Sequence, residues 1–175
     1  MRVCIIILYG CFILLMGCVN DKKPSDIINS ETANEKAPIT AKIISNLNFT
    51  DYALSSNGEK ITEDWKKYQE LAIQINYLKK ADLSFFNGDR DILKGFIDTL
   101  KLKIPDTLQT NAIISRTTII ETMLYRLNEN LTLDNISDSL KLQSVKEVLV
   151  AFSNLNYQIN KKLEKDIYEQ IVSEY

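Results

Sequence analysis

Histidine is absent from the 175-residue chain. That removes every Ser-His-Asp or Cys-His relay and every imidazole ligand for a metal. Cysteine is nearly absent: Cys4, Cys11 and Cys18 are the only three. Everything after Cys18 lacks a thiol, can form no disulfide and must be stabilised by packing. A zinc site there would have to be all-carboxylate, which is uncommon. Of five glycines, only Gly58, Gly88 and Gly95 follow Cys18, too scattered for a phosphate-binding loop. Positive charge is not in excess either, with 21 Lys and Arg against 23 Asp and Glu. A nucleic-acid partner calls for a basic footprint, and a polybasic membrane surface is missing for the same reason.

What is present begins with Met1-Arg2 and an uncharged run from Val3 to Val19, followed by Asn20-Asp21-Lys22-Lys23-Pro24. A basic start, a short apolar run and small residues before a cut form the pattern of an export signal. The run lies at the lower limit of what spans a bilayer. Its end, Leu15-Met16-Gly17-Cys18, resembles the lipobox of the bacterial lipoprotein family, with Met16 bulkier than the usual Ala or Ser. The resemblance implies cleavage after Gly17, a diacylglycerol on the Cys18 thiol, and a further acyl chain on the freed amine. Two or more chains supply the second membrane signal that one lacks. The alternative is an uncleaved anchor in which Cys18 is a buried thiol. In this reading residues 1–17 are a signal peptide, 18–38 a lipidated flexible tether, and 39–175 a single domain. A tether of about 20 residues reaches roughly 25 Å. By the sorting rule of some members of that family, the resemblance also implies that Val19 after the Cys, rather than Asp, favours the outer over the inner membrane.

The remainder reads as all-α. Apolar residues at three- and four-residue spacing predict four main helices, over about 62–85, 90–102, 107–130, and from a cap at Asp134 or Ser137 to about 173. Residues 39–54 hold enough apolar side chains for a short additional helix, and Ser55-Ser56-Asn57-Gly58 reads as a turn. Short connections between amphipathic helices predict an antiparallel bundle around one core. The last helix would outrun its partners. It must either bend near Ser153-Asn154 or lay its C-terminal half on residues 39–54, and Ile167 and Ile171 favour the second. Ala81-x3-Phe85-x2-Gly88-Asp89 resembles the inter-helix turn of a tetratricopeptide repeat. No second copy follows, however, and a solenoid needs about three, so a single helical hairpin is the reading. Three Asp-[Ser/Thr]-Leu triplets, at Asp98, Asp106 and Asp138, resemble an O-glycosylation motif too short to carry weight.

Few residues break the pattern. Arg116 sits beside the Ile113–Ile120 seam with no acidic residue three or four positions away. A guanidinium buried there needs an ion pair from another helix, with Asp82, Asp98 or Asp166 as candidates. The alternatives are a pocket for an anionic ligand and a side chain that snorkels to the surface. Asp89/Asp91 and Asp134/Asp138 fall at helix starts, where carboxylates meet the macrodipole. Glu129, Asp134 and Asp138 bracket one loop but lack the calcium-loop pattern. Val150, Tyr157 and Tyr168 lie off the seam of the last helix, as cover for residues 39–54 or as a contact stripe.

The expectation is therefore a membrane-anchored lipoprotein of the cell envelope. It would bind another protein without catalysis and would need no cofactor or metal. A helical anion binder using Arg116 is the alternative, and a carboxylate-based hydrolase the remoter one.

Overall fold

The computed structural model describes residues 38–174, so Leu15-Met16-Gly17-Cys18 and the tether before Pro38 lie outside the described residues. The described chain is all-α. It comprises α1 (Ala41–Ser45), α2 (Ser56–Thr62), α3 (Lys66–Lys79), α4 (Arg90–Leu102), a 3-10 turn (Asp106–Leu108), α5 (Asn111–Thr132) and α6 (Asp138–Ser173), with no strand among the described residues. The most extensive pairing is between α5 and α6, which are joined by residues 133–137. Helix α4 packs on α5 and on α3, while α1 and α2 lie against both α3 and α6. Among the described residues, the buried apolar side chains fall between Ile44 and Ile159, so this body carries its own core. No described helix is long and apolar enough to cross a membrane.

Small polar side chains start most of the helices. Thr40, Ser55, Thr110 and Ser137 each accept a backbone N–H three residues on, and the Asp89 carboxylate accepts from Asp91 and Ile92. Each such cap contributes about 1 kcal/mol. The short helix expected in 39–54 is α1, and the segment after it, residues 47–54, is irregular.

Several boundaries differ from expectation for local reasons, among them the helix expected from about 107, which starts at Asn111 behind a Thr110 cap and a 3-10 turn. Ser55-Ser56-Asn57-Gly58 is not a free turn but the cap and first turn of α2, because the Ser55 hydroxyl accepts from Gly58 N at 3.1 Å. Thr62, expected as the cap of a helix running to 85, is fully buried in the last turn of α2. Its hydroxyl donates back to Gly58 O at 2.9 Å. The chain then breaks at residues 63–65, where Gln69 Nε2 satisfies the Thr62 carbonyl at 2.9 Å, and α3 begins at Lys66.

Helix α3 also ends early, at Lys79. Ala81 N–H bonds to Leu78 O and Asp82 N–H to Tyr77 O, while Ala81 itself adopts φ 66°. This is a Schellman ending with Ala where Gly is usual. An L side chain in the left-handed region costs about 1 kcal/mol. Ala81→Gly is therefore expected to raise the unfolding free energy by about 0.5–1 kcal/mol in urea titrations, even after loss of its methyl contact. A decrease would show that the methyl contact outweighs the strain.

The turn leading into α4 is fixed from a distance. Asn128 on α5 is buried, and its Nδ2 donates to Phe86 O and Gly88 O, both at 2.9 Å. Phe86 is fully buried and packs edge-on to Phe85, which packs edge-on to Phe96 of α4. Ion pairs cross the helix seams from Lys101 to Glu121 and from Arg126 to Glu147, at 2.6 and 2.8 Å. Pairs exposed to this degree contribute at most about 1 kcal/mol each.

Helix α6 runs unbroken through Ser153-Asn154. Its cover by the N-terminal segment falls on its middle, where Ser153, Asn156 and Asn160 hold residues 50–55. Ile167 and Ile171, expected beneath that cover, stay 46% and 51% exposed. The N-terminal segment reaches only as far as α2 carries it.

Candidate functional site

Residues 47–54 form a strap across the bundle, and one face of α6 holds it by its backbone. Ser153 Oγ donates to Thr50 O at 2.6 Å and accepts from Tyr52 N at 2.8 Å. Asn156 Nδ2 donates to Tyr52 O at 2.9 Å. Asn160 Nδ2 donates to Ala53 O at 2.9 Å, and its Oδ1 accepts from Ser55 N at 2.8 Å. Positions 153, 156 and 160 share a helix face through their three- and four-residue spacing. The approach is close: a Cβ on Gly58 would meet Leu54 Cδ2 at 3.0 Å and Asn160 Oδ1 at 3.1 Å. Tyr52 closes the outer side by packing its ring on Tyr157, with centroids 4.8 Å apart.

Asn156 also ties the strap to the core. Its Oδ1 accepts from the Tyr68 hydroxyl at 2.7 Å, and Tyr68 stacks between Trp65 and Phe152. Burial, and secondarily the Glu59 charge, push the Tyr68 phenol well above its ordinary range. It is therefore a neutral donor at any physiological pH.

Between strap, α2 and α3 lies a cleft of about 790 Å³, floored by Tyr68, Phe152 and Asn156. That volume falls within the range of small-ligand sites. One wall is the strap from Asp51 to Leu54; the other carries Gln69, Ala72, Asn76 and Lys79 of α3. Asp51 and Lys79 pair across the cleft at 2.5 Å. Glu59 and Glu63 line the α2 edge with Lys60 between them in sequence, so the edge is net acidic. Thr62 is committed to Gly58 O, and the described residues contain no histidine and no cysteine. The two glutamates are a helical turn apart, with Cβ atoms about 5–6 Å from each other. Both are exposed on one edge, whereas a glycosidase pair flanks the scissile bond from two sides. The walls offer hydrogen bonds, an apolar floor and a modest negative charge.

Arg116 does not line this cleft or the three smaller cavities beside Leu149, Val150 and Leu163. It is partly exposed rather than buried, which removes the need for an ion pair. The three carboxylates expected to serve it are engaged elsewhere: Asp82 by Ser84, Asp98 by Lys94 and Asp166 by Lys162. Its neighbours Ile114 and Ile119 are also exposed, so the buried seam of α5 is narrower than the wheel implied. Of the off-seam residues on α6, Tyr157 covers the strap, Val150 lines a groove with Ile119 and Met123, and Tyr168 is exposed. Cys18 falls outside the described residues.

The polar face Ser153, Asn156, Asn160 was not anticipated. Its signal is three small polar residues at helical spacing between buried Phe152, Leu155 and Ile159. Comparisons with protein-family models, curated proteins and solved structures find no match for this chain.

Proposed function

We propose that the chain is a lipid-anchored protein of the bacterial cell envelope, outer membrane rather than inner. Its helical body binds a segment of a partner protein without catalysis. The anchor reading rests on Leu15-Met16-Gly17-Cys18. The binding reading rests on one observation, a cleft rich in hydrogen-bonding groups that holds no nucleophile beside a base. With Asp51 and Lys79 neutralising each other, Glu59 and Glu63 outweigh Lys60, which suits a segment carrying a basic side chain.

The test places a photoreactive side chain at Asn76, in the cleft, and separately at Ile92, which is 75% exposed and outside it. Both full-length variants are expressed in a bacterial envelope and irradiated. A discrete protein adduct is expected from position 76 and none from 92. Cys18→Ser should abolish both the acyl mass on the mature N-terminus and the adduct. Equal labelling from both positions, or none from 76, overturns the cleft reading. An unacylated N-terminus in the parent overturns the anchor.

A further inference from the structure

Helix α6 has 36 residues and α5 has 22. At 1.5 Å per residue these span about 54 and 33 Å. The two meet at the 133–137 loop, so α6 projects beyond the end of α5 by about four turns. Helix α2 covers the first of these turns; from Glu164 to Glu174 every residue except Asp166 is exposed. The exposed stretch is not polar all round. Ile167, Tyr168, Ile171 and Val172 are 46%, 67%, 51% and 55% exposed, and their i, i+1, i+4, i+5 spacing makes them one contiguous patch. Beside it runs a groove of about 380 Å³ between α2 and α6, with Ile61, Leu163 and Ile167 in its lining and Lys60 and Asp166 among its polar residues.

Charge order along the overhang indicates the occupant. Residues 161–165 carry Lys161, Lys162 and Lys165 against Glu164, a net of +2, while residues 166–174 carry Asp166, Glu169 and Glu174, a net of −3. A second α6 laid antiparallel brings its acidic end against Lys60 and Lys161, and the two-fold axis repeats each contact. A parallel copy would set like charges together, and an anionic membrane surface would meet more acid than base.

We infer that the α6 overhang pairs antiparallel with the same helix of a second copy, across the patch of Ile167, Tyr168, Ile171 and Val172. Such a pairing buries less than the roughly 1,600 Å² of a standard interface, so the dimer is weak. Dissociation is expected on the order of 10 μM. The inference is independent of the cleft, since Asn76 and the strap take no part in it.

The chain from Asn20 onward contains the whole described body and no cysteine, which makes the test clean. Sedimentation should show a monomer–dimer equilibrium over a range reaching about 100 μM. The double variant Ile167→Glu, Ile171→Glu should remain monomeric throughout, with an unchanged helical circular dichroism spectrum and urea midpoint. Tyr168→Cys, close to the two-fold axis, should form an intermolecular disulfide about tenfold faster than Ile92→Cys under the same oxidant. A parent that stays monomeric, a double variant that still dimerises, or equal cross-linking at 168 and 92 each overturns the inference.

Discussion

Trp65→Ala is expected to lower the unfolding free energy by about 4 kcal/mol, measured by urea denaturation. Truncating a buried aromatic costs about 3–5 kcal/mol through lost burial and a residual cavity. Trp65 is fully buried at the break between α2 and α3, and its ring stacks on Tyr68 at 5.2 Å. Its Nε1 donates to Leu100 O at 2.9 Å, near the end of α4, so truncation also leaves a buried carbonyl without its donor. Trp65→Phe separates the two effects, because it keeps most of the ring and loses only the donor and some volume. It is expected to cost about half as much. The total stability of a domain this size is about 5–15 kcal/mol, so the Ala variant approaches the threshold of folding. Trp65 is the sole tryptophan, so helical circular dichroism must follow both variants. A loss below about 2 kcal/mol would mean that neighbours collapse into the vacated space.

Asn156→Leu should cost about 2–4 kcal/mol, since it strands the buried Tyr68 hydroxyl and the Tyr52 carbonyl together. Unlike the tryptophan change, its effect should be local as well as global. Amide exchange at Tyr52 and Ser55, whose N–H groups bond to Ser153 and Asn160, should quicken before the helical core opens. Tyr68→Phe removes the hydroxyl without stranding a donor and should cost less. The Tyr68 proton adds a pH signature. The folded state holds it more tightly than the unfolded chain, because burial first and Glu59 second disfavour the phenolate. Stability from this group is complete below the ordinary tyrosine value of about 10 and falls as pH rises beyond it. In Tyr68→Phe that part of the alkaline decline should vanish; an unchanged slope would refute the assignment.

Much of the fold was legible from apolar spacing, and the reasons it failed in places are specific. Helix α4 matched its expected limits because Asp89 and the segment before Pro105 both punctuate it. The break at residues 63–65 was hidden because Ile61, Trp65 and Tyr68 keep helical spacing straight across it. Only the Thr62 hydroxyl and Gln69, acting on nearby backbone, reveal the interruption. The end of α3 was hidden because Ala81 takes a conformation whose usual sequence marker is Gly. Of the site, the sequence indicated the apolar seam of α6 and missed the polar face beside it. Ser153, Asn156 and Asn160 recognise main-chain atoms, and main-chain atoms leave no pattern in the residues they belong to. Arg116 shows the converse: a helical wheel gives an angle but not how far a neighbouring helix extends to cover it.

The strap has a consequence for the order of assembly. Its hydrogen bonds join residues 101 to 107 positions apart, from Tyr52–Ser153 to Ala53–Asn160. The α5–α6 hairpin, by contrast, closes through a five-residue connection and consists of local contacts that form quickly. A chain made from its N-terminus therefore produces the strap before anything exists to hold it. Docking waits until residue 160 is available, and the closure entropy of that long loop falls on the final step. Until then the cleft lacks its wall from Asp51 to Leu54.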